Sequence, residues 1–155
     1  MKLTAKDVEL AVAGYFKPRR NLICPNIHWG MGINHECDVF VLKKTGYAYE
    51  IEIKVSRGDL KKDLKKKRGH NSNKLRRLYF AIPEYLLKSK ELIPEHAGIL
   101  VVGKYGKVTE IRKAKDNKEA IRISDSERFH LAHLACMRIW KLKARIKRLQ
   151  KDKFK

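Results

Sequence analysis

Hydrophobic positions recur along the first sixteen residues at spacings of three and four, with Val8, Ala11, Val12 and Tyr15 following a capping Thr4. That rhythm predicts an amphipathic helix over 4–16, stopped by Pro18. The period then drops to two. Residues 22–28 and 36–42 read as extended, and in the second stretch Cys37, Val39 and Val41 alternate with Glu36, Asp38 and Phe40. The break at Lys44, Thr45 and Gly46 has hairpin length, so the strand after it should run antiparallel to the one before. In that next strand Tyr47, Tyr49, Ile51, Ile53 and Val55 share one face, while Ala48, Glu50, Glu52, Lys54 and Ser56 share the other. Ser56 can cap a second helix carrying Leu60 and Leu64, interrupted by loop chemistry at 69–73. Leu75 to Ile82 reads as a buried strand ended by Pro83, and a hairpin joins Ala97–Val102 to Lys107–Ile111. A Ser124-x-x-Glu127 capping box opens the last helix, which reaches nearly to the end of the chain. The order is helix, three strands, helix, strand, hairpin and long helix. It predicts a single α/β domain over 1–155, with 124–155 as a basic helical extension.

Composition adds the partner. The chain has 155 residues, 43% of them hydrophobic, enough to bury a core and to exclude intrinsic disorder. Lys and Arg number 37 against 17 Asp and Glu, a formal net charge of +20. Such an excess on a folded body points to a polyanion, with nucleic acid first and an anionic membrane surface second. The sequence contains no apolar run long enough to span a bilayer and no apolar stretch of a signal peptide at its start, so a cytoplasmic protein is expected. Three widely spaced cysteines, Cys24, Cys37 and Cys136, do not suggest a disulfide framework.

The charge is not uniform. Between Lys54 and Arg77 there are eleven Lys or Arg residues against only Asp59 and Asp63. The expected phosphate contacts are Arg57, Lys61, Lys62, Lys65, Lys66, Arg68, His70, Lys74 and Arg77, which give affinity without a base-reading pattern. Beside this basic run, the polar face of the 47–56 strand carries Glu50, Glu52 and Lys54, and hairpin pairing brings Asp38 beside Glu52. An exposed sheet face is the ordinary reading of alternating charges. The alternative is a shared cation, because two adjacent carboxylates repel unless a proton or a metal lies between them. Oxygen donors favour Mg²⁺ or Mn²⁺, with phosphate oxygens completing the shell and Lys54 placed to act on the attacking water or the developing charge.

This arrangement, Asp38 followed by Glu52-Ile53-Lys54 on the next strand of a hairpin, resembles the signature of the PD-(D/E)XK nuclease superfamily over roughly residues 4–82. The run Glu52 to Leu60, then Asp63 and Lys65, Arg77 to Pro83, and Pro94 to Gly98 is similar, more narrowly, to MmcB-like DNA repair proteins, as far as about residue 113. Cys37 stands before Asp38 where the signature has proline. The resemblance implies a restriction-endonuclease-like core, Asp38 and Glu52 as metal ligands, and Lys54 as the catalytic lysine. It also implies a neighbouring patch of Ser56, Asp59, Asp63 and Lys65, and it makes Glu9 on the first helix a candidate additional ligand, although a surface salt bridge explains that residue as well. The expected activity is Mg²⁺- or Mn²⁺-dependent hydrolysis of phosphodiester bonds in DNA, in repair or processing, with RNA left open as a partner. A non-catalytic nucleic-acid-binding module on the same fold is the rival, and a ribosome-associated basic protein a more distant one.

Two features remain. Ala132, Ala135, Ile139, Leu142, Ile146 and Leu149 form a seam along the last helix that can pack on the sheet or pair two copies, so a homodimer through this helix is a candidate. His28, His35, Cys24 and Cys37 raise the question of zinc. On an extended strand Cys24 and His28 stand about 13 Å apart at ~3.3 Å per residue, too far to share a tetrahedral ion, and zinc is not expected.

Overall fold

The protein is described here from a computed structural model, which covers residues 2–28, 31–33, 35–65 and 72–152. Two compact units divide at residue 123, Met1–Ile123 and Ser124–Lys155.

The first unit is built on one six-stranded sheet in sequential order. Helix α1 (Ala5–Tyr15) precedes β1 (Leu22–Ile27), β2 (Cys37–Leu42) and β3 (Ala48–Ile53). Helix α2 (Arg57–Lys65) leads to β4 (Leu75–Pro83), a 3-10 helical segment (Glu84–Leu92), β5 (Gly98–Val102) and β6 (Val108–Arg112). Strands β1, β2 and β3 are antiparallel neighbours, β3, β4 and β5 run parallel, and β6 returns antiparallel on β5. A helix is what a parallel step from β3 to β4 requires, since parallel strands cannot be joined by a tight turn. The mixed α/β order read from periodicity is the order found, and the 3-10 segment after Pro83 is an addition that its pattern did not announce.

Local chemistry explains the ends. Thr4 and Asp7 form a reciprocal capping box at the start of α1, Asp7 N–H donating to Thr4 Oγ1 at 3.3 Å and Thr4 N–H to Asp7 Oδ2 at 2.7 Å. At α2 the Asp59 N–H donates to Ser56 Oγ at 3.1 Å, while the Ser56 hydroxyl donates to Asp59 Oδ2 at 2.6 Å. Gly46 takes φ +87 in the β2–β3 turn, a left-handed conformation that a side chain would strain.

The sheet is buried on both faces. On one side Val8, Val12 and Phe16 of α1 pack over Val39, Ile51 and Leu100. On the other, Leu60 of α2 and Leu86 of the 3-10 segment cover Leu78, Phe80, Ile82 and Ile99. The odd-numbered face of β3, Tyr49, Ile51 and Ile53, meets the α1 side. Its even-numbered residues therefore point the opposite way, toward the side covered by α2.

The second unit is helix α3 (Asp125–Asp152), 28 residues and about 42 Å long at ~1.5 Å per residue. Ser124 and Glu127 cap it reciprocally, Glu127 N–H donating to Ser124 Oγ at 3.2 Å and Ser124 N–H to Glu127 Oε2 at 2.8 Å. Its seam residues Ile139, Leu142, Ile146 and Leu149 are more than half exposed, as is Trp140. Among the described residues no helix is long and apolar enough to cross a membrane.

Gly98 on β5 faces Tyr79 on β4. A Cβ there would run into the Tyr79 ring and come within 2.7 Å of the Ala114 backbone nitrogen. The ring cannot step aside, because it is buried and its hydroxyl donates to Glu110 Oε2 at 3.0 Å. Gly98→Ala is expected to lower unfolding free energy by about 1–3 kcal/mol, measured by urea denaturation with an unchanged m-value.

Candidate active site and a buried His-Cys-Glu cluster

The charged face of β3 is not exposed. Glu50 is fully buried, Glu52 is 6% exposed and Lys54 is 9% exposed. A charge held this far from water must be paired, and each of these is. Lys54 Nζ donates to Glu52 Oε2 at 2.7 Å and lies 3.3 Å from Asp63 Oδ1 on α2. Glu50 Oε1 pairs with His35 Nε2.

The sheet register explains how Asp38 joins them. β2 and β3 pair from Leu42 opposite Ala48 to Val39 opposite Ile51. One step further the carboxylate of Asp38 continues the ladder in place of the backbone, accepting the Ile53 N–H at 2.7 Å through Oδ2. β3 itself continues on its other edge, where Lys54 N–H donates to the Ala81 carbonyl at 3.1 Å. Tyr85 ties down the following residue, its hydroxyl donating to the Val55 carbonyl at 2.9 Å. The expected trio of Asp38, Glu52 and Lys54 is thus brought together at the point where two strands diverge.

Electrostatics reflects the crowding. Burial pushes the Asp38 carboxyl above its ordinary value, against the pull of the Ile53 N–H and the Lys54 charge. Burial likewise pushes Glu52 up, to about 7, with Lys54 opposing and Asp38 and Glu50 adding to it. For Lys54, burial favours the neutral amine, but Glu52 and Asp63 outweigh it and hold the ammonium above the usual lysine range. Both shifts come first from burial, with Lys54 opposing them, and the two carboxyls are of the kind that could hold a divalent cation through hard oxygens.

Glu9 lies close by. A cavity of about 150 Å³ is lined by Ala5 and Glu9 of α1, Asn26 of β1, and Asp38 and Ile53. Asn26 takes φ +50, uncommon within a strand and tolerated best by glycine, asparagine and aspartate. Glu9 thus shares a cavity wall with Asp38.

The expected phosphate contacts divide. Arg57, Lys61 and Lys62 on α2 are exposed, and Arg57 lies 3.9 Å from Glu91 at the surface. Lys74 is half-buried. Arg77 is tied into the fold, donating through Nε to Asp116 Oδ1 and lying 5.2 Å over the Tyr49 ring. Lys66, Arg68 and His70 lie outside the described residues, as does the side chain of Lys65.

Sequence reasoning missed a second constellation. His35, Cys37 and Glu50 are all buried, and their ligand atoms lie within 4.8 Å of one another. Testing zinc on Cys24 and His28 set aside the wrong pair: within that group of four, His35 and Cys37 are the ones brought together, and their partner is Glu50 from the next strand. The available signal was the two-residue spacing of His35 and Cys37; the register sets Phe40, not either of them, opposite Glu50. Burial, then the neighbouring Glu50, drive the Cys37 thiol far up.

No protein-family profile and no curated protein matches this chain. A solved structure does: a protein of unknown function from Silicibacter pomeroyi matches with a TM-score of 0.69 at 22% sequence identity, covering 92% of this chain and 94% of that one. The likeness is one of fold.

The Glu52 carboxyl titrates near 7 in the folded chain against an ordinary value of 4.5. Between these pH values the folded chain retains a proton that the unfolded chain has released. This contribution to stability is therefore complete below pH 4.5 and lost as pH rises through about 7. In metal-free buffer the urea midpoint of the wild type should fall more steeply over this window than that of Glu52→Gln. Parallel pH profiles of the two proteins would contradict the assignment.

Proposed function

We propose that the protein is a metal-dependent nuclease that hydrolyses phosphodiester bonds in DNA, built on a restriction-endonuclease-like core. The observation that carries this reading is the convergence of Asp38, Glu52 and Lys54 from adjacent strands, with Glu9 and Asp38 on the wall of one small cavity. Its support in the fold is the order of helix, three strands, helix and strand, with Asp38 and Glu52 where β2 and β3 part. These two carboxylates offer the oxygen donors that Mg²⁺ or Mn²⁺ takes, and Glu9 would add a third. An ion held there would act as a Lewis acid, making bound water a better nucleophile and offsetting charge on the phosphate.

The chain's own residues have distinct tasks. Asp38, clamped by the Ile53 N–H, is a fixed ligand whose other oxygen can face a cation. Glu52 links the metal position to Lys54. Lys54 stays protonated between Glu52 and Asp63, and its ammonium can orient the attacking water and stabilise charge growing on the phosphoryl oxygens. Asp63 is a positioning residue, because it holds the lysine from α2 without a place of its own in the chemistry. Exposed Arg57, Lys61 and Lys62 on the same helix offer the backbone phosphates a basic approach.

Labelled single-stranded, duplex and branched DNA incubated with Mg²⁺ or Mn²⁺ separates this reading from a non-catalytic binding module. Cleavage is expected to depend on the ion and to fall by about 10²–10³-fold in Lys54→Ala, with DNA affinity within a few-fold of wild type. Tight, salt-sensitive binding with no cleavage of any substrate would favour the binding module.

A further inference from the structure

The acidic site accounts for Asp38, Glu52 and Lys54 and leaves the neighbouring cluster unexplained. His35 comes from the segment before β2, Cys37 is the first residue of β2, and Glu50 lies in the middle of β3. The three are 5%, 0% and 0% exposed. Glu50 pairs with His35 and accepts a hydrogen bond from the Cys37 thiol, so an imidazole nitrogen, a sulfur and a carboxylate oxygen converge on one buried point. Met31 and Ile33 nearby in sequence are buried as well.

We infer that His35, Cys37 and Glu50 bind a zinc ion, at a site separate from the oxygen-donor pair of Asp38 and Glu52. An imidazole nitrogen, a sulfur and one carboxylate oxygen suit a borderline-soft ion with tetrahedral preference, and they suit Mg²⁺ poorly. The three ligand atoms lie within 4.8 Å of one another, and an ion among them would replace the direct His35–Glu50 contact, these two atoms parting to the spacing that tetrahedral bonds set. Direct coordination to zinc would also offset the lost hydration of a fully buried carboxylate.

Three protein ligands leave a fourth tetrahedral position for a water or a small anion. The zinc proposal does not require the nuclease reading, because the two ligand sets share no residue.

The test uses the full chain, stripped of metal and carrying Cys136→Ser to remove the exposed thiol. Titration with Co²⁺ should produce thiolate-to-cobalt charge-transfer absorption that corresponds to one cobalt–thiolate centre per chain and that added Zn²⁺ bleaches. Cys37→Ser should abolish that absorption and His35→Ala should weaken Co²⁺ binding by at least about tenfold, whereas Asp38→Ala should retain both absorption and affinity. Zinc-edge X-ray absorption on the protein with native ligands gives an answer even where a ligand variant does not fold: one sulfur and otherwise nitrogen and oxygen neighbours are expected. A zinc shell without sulfur, charge-transfer absorption that survives Cys37→Ser, or loss of the ion in Asp38→Ala would each overturn the proposal.

Discussion

The structure turns on three ionisable side chains that one strand places inside the protein. Glu50, Glu52 and Lys54 occupy alternate positions of β3, the face opposite Ile51 and Ile53, and all three are buried. Removing an ion from water costs several kcal/mol even after the protein relaxes. The fold can carry them only because each meets a partner from elsewhere: His35 for Glu50, and Asp63 on α2 for the Lys54 that already pairs with Glu52. Those pairs link α2 to the end of β3 and His35 to the middle of it. A face of charged residues packed this way contributes little to stability compared with an apolar one, so its occurrence asks for a chemical reason.

The reason proposed here is a divalent cation held locally in a protein with an overall excess of positive charge. The net charge of +20 says that a polyanion is welcome at the surface. It does not say what happens at Asp38 and Glu52, where burial raises both carboxyls and a single ammonium stands nearby. In the proposed nuclease reading the basic surface of α2 and the acidic point beneath it act together, the surface residues gathering phosphates and the interior ones a cation that a phosphate oxygen can share.

Much of this was legible in the chain before any coordinates. The alternation from Tyr47 to Ser56 separated β3's apolar face from its charged one, and a hairpin count from Gly46 placed Asp38 beside Glu52. Thr4, Ser56 and Ser124 announced their helices because capping is a local, short-range interaction. Burial of the charged face was not legible. A period of two distinguishes the faces of a strand, but it does not say that a helix covers both, and only the parallel β3–β4 step with Leu60 above it decides that. The His35 cluster was hidden for a related reason. It depends on the path taken by residues before β2, where no regular period operates.

Glu50 and Glu52 sit two residues apart on the same face, yet their surroundings give them different chemistry. Glu52 is flanked by Asp38 and Lys54, all oxygen and ammonium, and Glu50 by imidazole and thiol. Each also raises the cost of ionising the other's neighbours, since Glu50 contributes to the upward shifts at Asp38, Glu52 and Cys37. A cation on Glu50 would therefore relieve the repulsion felt at Asp38 and Glu52 and make their ionised forms easier to reach. Softness of the donors, rather than distance along the strand, is what would keep two different ions on adjacent carboxylates.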